Sequence, residues 1–275
     1  MRRASRLALI LCAATAAVIL PAQVASAATP IGEYQLQGTL ASSGGVGPTL
    51  TNLGAGANAF QTDTVNGTSR QVLTFPQDNG LQMSPLGLTP TSDLSVVTTF
   101  RLATVAGYER ILDLSNDSSD DGLYANDGLA DVYVTDDGTD HDSANVVFAD
   151  NTYATVAYVT GGPAVHTNVY VNGALAVEYP GYLPLTGDTL RFFRDAAVNP
   201  GEDSAGAVSC IRVFSGQLTD AEVSSIGTSP TCGYSAPTPA TPTTPAAHKR
   251  KCKKKHKKRA AGSAKKKHCK KKHRH

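Results

Sequence analysis

The 275 residues hold 25 Lys and Arg against 23 Asp and Glu and no Trp, and the formal charge of +2 hides a division along the chain. All 23 acids lie between Glu33 and Glu222 with only six Arg among them, a formal −17, whereas Lys249 to Arg274 carries 16 Lys and Arg and no acid. Such asymmetry bears on partners rather than on fold, and nothing beyond the first 27 residues is apolar for long enough to span a bilayer.

Residues 1–27 read as a secretory signal. Arg2, Arg3 and Arg6 form the positive start, Leu7 to Leu20 the apolar run, and Ala25-Ser26-Ala27 a small-residue cleavage site. An apolar run of about 14 residues falls short of the roughly 20 that a membrane span needs. Export implies an oxidising compartment, in which Cys210 and Cys232 are expected to pair and to tie the last segment of the domain to a strand.

Residues 28–232 read as strand and turn almost throughout, long enough to bury a full core. Candidate strands are Glu33 to Gln37, Arg70 to Phe75, Leu94 to Leu102, Arg110 to Leu114, Leu129 to Thr135, Asn145 to Phe148, Tyr153 to Thr160, Thr189 to Phe193 and Val208 to Phe214. The clearest alternation puts Leu94, Val96, Thr98, Phe100 and Leu102 on one face. Asn172-Gly173 supplies the two positive-φ positions of a type I′ hairpin turn. With an unbroken register, Val169 and Val171 share a face with Ala174 and Ala176, and Tyr170, Leu175, Val177 and Tyr179 take the other. One helix is expected, capped by Thr219 with Glu222 reaching back. About a dozen short strands parted by turn residues predict an all-β, two-sheet antiparallel jelly-roll sandwich with one short C-terminal helix. Residues 233–247 read as a Pro/Thr/Ala linker, and residues 248–275 as a disordered Lys/Arg/His-rich tail.

Several segments together resemble a known family. They are Leu94 to Phe100, Arg110 to Leu114, Asp121 to Tyr124, Asn168 to Gly173, and Val208 to Phe214 followed by Leu218 to Val223. In this order and spacing they are similar to the laminin G-like, concanavalin A-like lectin/glucanase jelly roll of bacterial secreted proteins. The resemblance covers roughly residues 30–227. It implies that the first and last strands pair and that the domain binds carbohydrate or protein, sometimes with calcium; it implies no single activity.

Glycoside hydrolysis needs two carboxylates at a set separation. The glucanase branch of that superfamily carries them as Glu-x-Asp-x-Glu. The five Glu here, Glu33, Glu109, Glu178, Glu202 and Glu222, contain no such pair. No Gly-x-Ser-x-Gly elbow and no phosphate-cradling glycine loop occurs. Clustered loop carboxylates suit calcium, which takes six to eight oxygens. Asp113, Asp117, Asp120 and Asp121 form one acidic loop, Asp131, Asp136, Asp137, Asp140 and Asp142 a second, and Asp195, Glu202 and Asp203 a third. The expected ligands are Asp195, Glu202 and Asp203, with Asp113 and Asp121; the competing reading is a solvated acidic surface. Tyr124, Tyr170 and Tyr179 are the candidate sugar-contacting aromatics, although packing is the common fate of a tyrosine.

In the tail, Cys252-Lys-Lys-Lys-His256 recurs as Cys269-Lys-Lys-Lys-His273. The spacing imitates a zinc site, but the surrounding cations repel a dication. Lys251, Lys253, Lys254, Lys255, Lys265, Lys266, Lys267 and Lys270 are instead expected to bind a polyanion such as an anionic envelope polymer by counterion release. Cys252 and Cys269 are free to cross-link chains. The whole reads as a secreted or envelope-associated, non-catalytic module whose sandwich binds an extracellular glycan or a cell-surface protein. The alternatives are a glycan-cleaving enzyme with unusual catalytic Asp residues and a structural adhesion protein.

Overall fold

A computed structural model describes residues 28–135, 139–162, 166–197 and 200–235. The expected signal, Asp136 and Asp137 of the second acidic loop, nearly all of the linker and the whole tail with its lysines, Cys252 and Cys269 lie outside the described residues.

Two antiparallel sheets face each other. The first runs in the order β13 (Ala174–Tyr179), β12 (Thr167–Val171), β11 (Ala154–Thr160), β6 (Leu94–Leu102), β15 (Gly206–Ser215), β4 (Thr68–Phe75) and β3 (Ala59–Val65). The first strand, β1 (Thr29–Tyr34), pairs with the second half of the last strand, β15, and β4 pairs with the first half. The second sheet runs β10 (Thr139–Asp142), β9 (Leu129–Val134), β8 (Gly122–Asn126), β7 (Tyr108–Asp113), β14 (Leu190–Phe192), β5 (Gly80–Met83) and β2 (Thr51–Leu53). The jelly-roll expectation, including the pairing of the first and last strands, is met.

The main core lies between the sheets. Val96, Phe100, Val156, Val169, Ile211 and Val213 of the first sheet meet Leu81, Leu112, Leu123, Ala125, Val132 and Phe192 of the second. In β6, eight of nine residues are buried, more than a half-exposed strand allows. The cause is a second apolar layer on the outer face of the first sheet. Val97, Ala157, Tyr170, Cys210 and Phe214 are covered there by Leu218, by Val223 of the helix α1 (Asp220–Ile226) and by Cys232. The capping box is formed as expected, with Thr219 accepting from the Glu222 amide and Glu222 accepting from the Thr219 amide.

The segment after α1 is held in place by a disulfide between Cys210 and Cys232, 22 residues apart. Polar contacts reinforce it. Thr99 donates to the Ser229 carbonyl at 3.0 Å, Arg212 donates to the Cys232 carbonyl at 3.2 Å, and Arg70 donates to the Pro230 carbonyl.

The hairpin departs from the expected pattern. Asn172 and Gly173 have the positive φ values of 52° and 83° that the turn requires. A Cβ on Gly173 would also lie 3.1 Å from Gly227 Cα. Yet a bulge between Val169 and Tyr170 leaves Ala176 opposite no single residue and pairs Val169 with Val177. The bulge reverses the facing of the rest of β13, so Val177 joins Val169 and Val171 in the core. Other differences concern strands: residues 145–148 are irregular although Phe148 is buried, the first strand lies at Thr29–Tyr34 rather than Glu33 to Gln37, β3 (Ala59–Val65) was not expected, and the short β2, β5, β8 and β10 carried too little alternation to be read.

Replacing Cys210 and Cys232 together by Ser is expected to lower the unfolding free energy by about 3 kcal/mol, the loop-closure value for a loop of this length. A urea titration measures it. A loss below about 1 kcal/mol would mean that the polar contacts and the second apolar layer hold the segment without the bridge.

Candidate functional site: an aromatic pocket under two acidic loops

Among the described residues the C-terminal segment covers the outer side of the first sheet's central strands, and the outer face of the second sheet carries a different, polar and aromatic lining. Alternation puts Leu112, Leu123, Ala125 and Val132 into the core. In β8, β9 and β10 alternation therefore turns Tyr124, Asn126, Asp131, Tyr133, Asp140 and Asp142 outward, and in β7 a bulge between Arg110 and Leu112 reverses the facing so that Tyr108 and Arg110 join them although Leu112 points inward. Arg110, Tyr124, Asp131 and Asp142 stand in one row across the four strands.

Arg110 is fully buried on this outer face because two loops fold over it. Its Nη2 lies 2.6 Å from Asp120 Oδ1 and 3.1 Å from Asp195 Oδ1, and its Nη1 donates to the carbonyls of Asp121 and Asp120 at 3.0 and 3.3 Å. Its guanidinium carbon sits 4.2 Å from the centre of the Tyr124 ring. Gly122 leaves the necessary room, since a Cβ there would fall 2.4 Å from Arg110 Nη1.

The first loop, between β7 and β8, is shaped by Asp113. Its carboxylate accepts from the Ser115 amide at 2.6 Å, the Ser115 hydroxyl at 2.7 Å and the Asp117 amide at 3.0 Å. Asp121 accepts from the Thr135 amide at 2.6 Å and the Ser119 hydroxyl at 2.9 Å. The second loop, between β14 and β15, starts at Phe193, whose φ of 64° is strained for an aromatic residue. Packing against Phe75 and Phe100 holds it there. The Glu202 amide donates to Asp195 Oδ2 at 2.9 Å, and the Arg110 amide to the Glu202 carbonyl at 2.8 Å.

The loops bring carboxylate oxygens of Asp120, Asp195 and Glu202 within 4.8 Å of one another, a set that can hold a metal ion. Asp195 and Glu202 are two of the expected ligands. Asp113, Asp121 and Asp203 are not in the set: the first two brace their own loop, and Asp203 accepts from the Asp195 amide at 3.4 Å. Asp120 takes their place. The Arg110 guanidinium already balances part of the set's charge, but three carboxylates against one cation leave an excess of negative charge.

The three expected sugar-contacting tyrosines occupy three separate places. Tyr124 is fully buried with one ring face taken by Arg110. Tyr170 lies on the outer face of the first sheet and donates to Asp220 Oδ1 at 2.6 Å. Tyr179 packs against His141 with ring centres 4.4 Å apart and planes tilted by 45°. Tyr170 lines a cleft of about 480 Å³ with Asn168, Thr219 and Asp220, and on the outer face of the second sheet Tyr108, Asp120, Tyr133 and Glu202 line a pocket of about 120 Å³. Tyr108 and Tyr133 meet edge to face with centres 6.2 Å apart, and Tyr124 backs both at 5.8 and 6.2 Å. Tyr108 donates to Asp140 at 2.9 Å. Spacing alone gave no reason to prefer Tyr108 and Tyr133 over the other tyrosines; their strands, β7 and β9, come to flank β8 only in the folded sheet.

Electrostatic stress gathers around this pocket. Burial first, then Asp142 and Asp140, push the Asp131 carboxyl up to about 7. Burial and then the charges of Asp203, Asp150, Asp195 and Glu202 push Glu109 up to about 7. Asp131 Oδ2, Glu109 Oε2 and Asp203 Oδ1 are buried without a hydrogen-bond partner. Burial and the hydrogen bond to Asp140 push the Tyr108 hydroxyl up to about 12.

A model of the concanavalin A-like lectin/glucanases superfamily matches residues 75–224, more than half the chain. The chain thus has the sandwich of a lectin-type domain, and it belongs to this superfamily. No curated protein matches it. Among solved structures it is similar to domain 4 of AbnA, an extracellular arabinanase from Geobacillus stearothermophilus in complex with arabinotriose. That match has a TM-score of 0.55 and 13% identity over 72% of this chain and 98% of that one. It is also similar to botulinum neurotoxin type C, which interacts with two ganglioside molecules (TM-score 0.52, 12% identity, 72% of this chain and 50% of that one). A third is the botulinum neurotoxin DC binding domain in complex with rat synaptotagmin II (TM-score 0.52, 14% identity, 72% and 51%). The chain spans about half the length of the two neurotoxin chains. At such identities these likenesses define the fold alone.

Two predictions follow from the geometry. Arg110→Met leaves Asp195 buried without its countercharge and is expected to cost about 3–5 kcal/mol in a urea titration; a cost under about 1 kcal/mol would show that the loops stand without the ion pair. For Glu109 and Asp131 the folded state binds protons more readily than the unfolded chain. Their contribution to stability is therefore complete below the ordinary carboxylate range and lost as pH rises through about 7. The urea midpoint is expected to fall between about pH 5 and pH 7.5, and Glu109→Gln or Asp131→Asn to flatten that fall. An unchanged slope in both variants would assign it to other groups.

Proposed function

We propose that the chain is an exported, non-catalytic binding module whose second sheet presents a ligand-binding face, with an extracellular glycan as the ligand. The observation that supports this reading most is the pocket of Tyr108, Tyr133, Asp120 and Glu202, which two loops build on the outer face of the second sheet. Aromatic rings beside a few fixed polar groups are the usual make-up of a sugar-contacting surface. The likeness to an arabinanase domain in complex with arabinotriose agrees with it. Beyond the described residues, the Lys251 to Lys270 region is proposed to hold the module at an anionic envelope polymer, in a secreted or envelope-associated location. Calcium is the proposed ion for Asp120, Asp195 and Glu202, where it would brace the two loops.

One observation favours an enzyme as second reading: Asp120 and Glu202 line one pocket with carboxylate oxygens within 4.8 Å, near the separation of a retaining glycosidase pair. The pocket volume of about 120 Å³ argues against it, because a glycosidase must enclose sugar on both sides of the bond it cleaves, whereas a lectin-type face need contact only part of its ligand.

Retention of the full chain on insoluble polysaccharides and isolated cell walls tests these readings, with calcium or chelator, at low and high salt, and with released sugar assayed in the same tubes. Binding without sugar release is expected, weakened roughly tenfold by Tyr108→Ala and by chelator. Retention that high salt abolishes and Tyr108→Ala leaves unchanged would place all binding in the tail. Sugar release that Glu202→Gln removes would make the chain an enzyme.

A further inference from the structure

Beside the C-terminal cover, β11 and β12 of the first sheet and the start of α1 enclose the cleft of about 480 Å³. Its walls are fixed by hydrogen bonds. The Ser95 hydroxyl donates to the Gly216 carbonyl at 2.9 Å and accepts from the Leu218 amide at 2.9 Å, and the Gly216 amide donates to the Asp93 carbonyl at 3.0 Å. These bonds hold the turn that carries Gln217 and Leu218. On the other side, Tyr170 donates to Asp220 Oδ1 at 2.6 Å and ties the sheet to the helix. A site whose walls are already in place loses little freedom when a ligand enters. The volume falls within the range of about 300–1,000 Å³ common to small-molecule sites.

The lining is mixed. Val159 and Leu218 give it an apolar part, and Asp93, Asn168, Gln217 and Asp220 a polar one. The polar part has acceptors to spare. Asn168 Nδ2 donates to the Tyr170 hydroxyl at 3.4 Å, but Asn168 Oδ1 is buried without a hydrogen-bond partner. Tyr170 takes one carboxylate oxygen of Asp220, and no side chain among the described residues engages the other or the carboxylate of Asp93.

Each ligand class fares differently here. An anion meets Asp93 and Asp220, and no basic side chain among the described residues lines the cleft. An apolar group would strip water from two carboxylates and two amides without replacing it. A bare calcium ion needs six to eight oxygens, and the set of three carboxylates lies on the other sheet. An organic cation gains little, because Asp93 and Asp220 are exposed and water screens their charge. A neutral ring that bears several hydroxyls satisfies both parts of the lining. Its C–H face covers Val159 and Leu218, its O–H groups donate to the spare acceptors, and its oxygens accept from the Gln217 amide.

We infer that this cleft is a second ligand site, which takes a neutral, hydroxyl-rich ring such as one sugar unit of a glycan. The inference extends the glycan class of the proposed function to a separate set of residues and shares none with the pocket of Tyr108.

Calorimetric titration of the full chain with arabinotriose, cellotriose and mannotriose tests it, with glucosamine and glucuronate as charged probes. The neutral probes carry no charge for the lysines at 251–270 to attract. At least one neutral trisaccharide is expected to bind. Asn168→Ala and Asp220→Asn are each expected to weaken it roughly fivefold to tenfold, the loss of one hydrogen bond, and Tyr108→Ala to leave that affinity within about twofold. Should Asn168→Ala fail to fold, Gln217→Ala, on a half-buried turn residue, is expected to give a similar loss. Trisaccharide binding that needs Asn168 and ignores Tyr108→Ala supports the inference while the pocket of Tyr108 loses its role. Binding that Tyr108→Ala removes and both Asn168→Ala and Asp220→Asn leave unchanged overturns the inference while the proposed function stands. No response to any neutral probe overturns it, and so does an Asn168-dependent response to glucosamine or glucuronate alone.

Discussion

The buried guanidinium of Arg110 is the constraint on which the functional face depends. A charge at zero exposure inside a sheet is tolerable only if it is paired and hydrogen-bonded. No single strand of this sandwich supplies that. Asp120 comes from the loop after β7, and Asp195 from the loop after β14, 85 residues further along the chain than Arg110. Satisfying one side chain therefore fixes two long loops against the sheet and against each other. The triad of Asp120, Asp195 and Glu202, the burial of Tyr124 and the shape of the tyrosine pocket follow from that closure. Gly122 belongs to the same device, because only a residue without Cβ leaves the guanidinium its place.

The other sheet explains why the pocket is where it is. A sandwich with two equivalent outer faces would offer two candidate surfaces. Here the C-terminal segment removes the centre of one of them, with Val223, Leu218 and the Cys210–Cys232 bridge sealing the outer side of β6, β11 and β15. The cleft lined by Asn168, Tyr170, Thr219 and Asp220 among others runs along the edge of this cover. There the Tyr170 hydroxyl is engaged by Asp220, which joins the cover to the sheet.

Features that rest on local chemistry were legible in the sequence. The capping box at Thr219 and Glu222, the Asn172-Gly173 turn and the alternation from Leu94 to Leu102 need only nearby residues, and each is present. Where one added residue changes facing, sequence failed: the bulge at Val169 and Tyr170 moved Val177 into the core, and no composition signal marks it. The site was half legible for a similar reason. Acidic loops are visible as clusters, so Asp195 and Glu202 were read as close to one another, which the fold shows. Which member of Asp113, Asp117, Asp120 and Asp121 points to them depends on how the loop is braced, and Asp113, the most buried of these, is used for bracing. Arg110 gave no warning, because it opens the expected strand Arg110 to Leu114 and follows another charged residue, Glu109; only the observed span Tyr108–Asp113 places it inside a strand.

The arrangement is stable in spite of the site. Asp131 stands directly opposite Asp142 on the neighbouring strand, an unfavourable pairing of like charges. Glu109 and Asp203 are both buried acids with an oxygen left without a partner. None of these carboxylates is needed to build a sandwich; an apolar or amide residue at any of them would relieve the stress. Compensation comes from elsewhere: the apolar core between the sheets, the second layer under α1 and the disulfide. The perturbed acids lie on both sides of the sheet: Asp131 is on the outer face in the row of Arg110 and Tyr124, whereas Glu109, between the outward Tyr108 and Arg110, stands opposite the core residue Ala125.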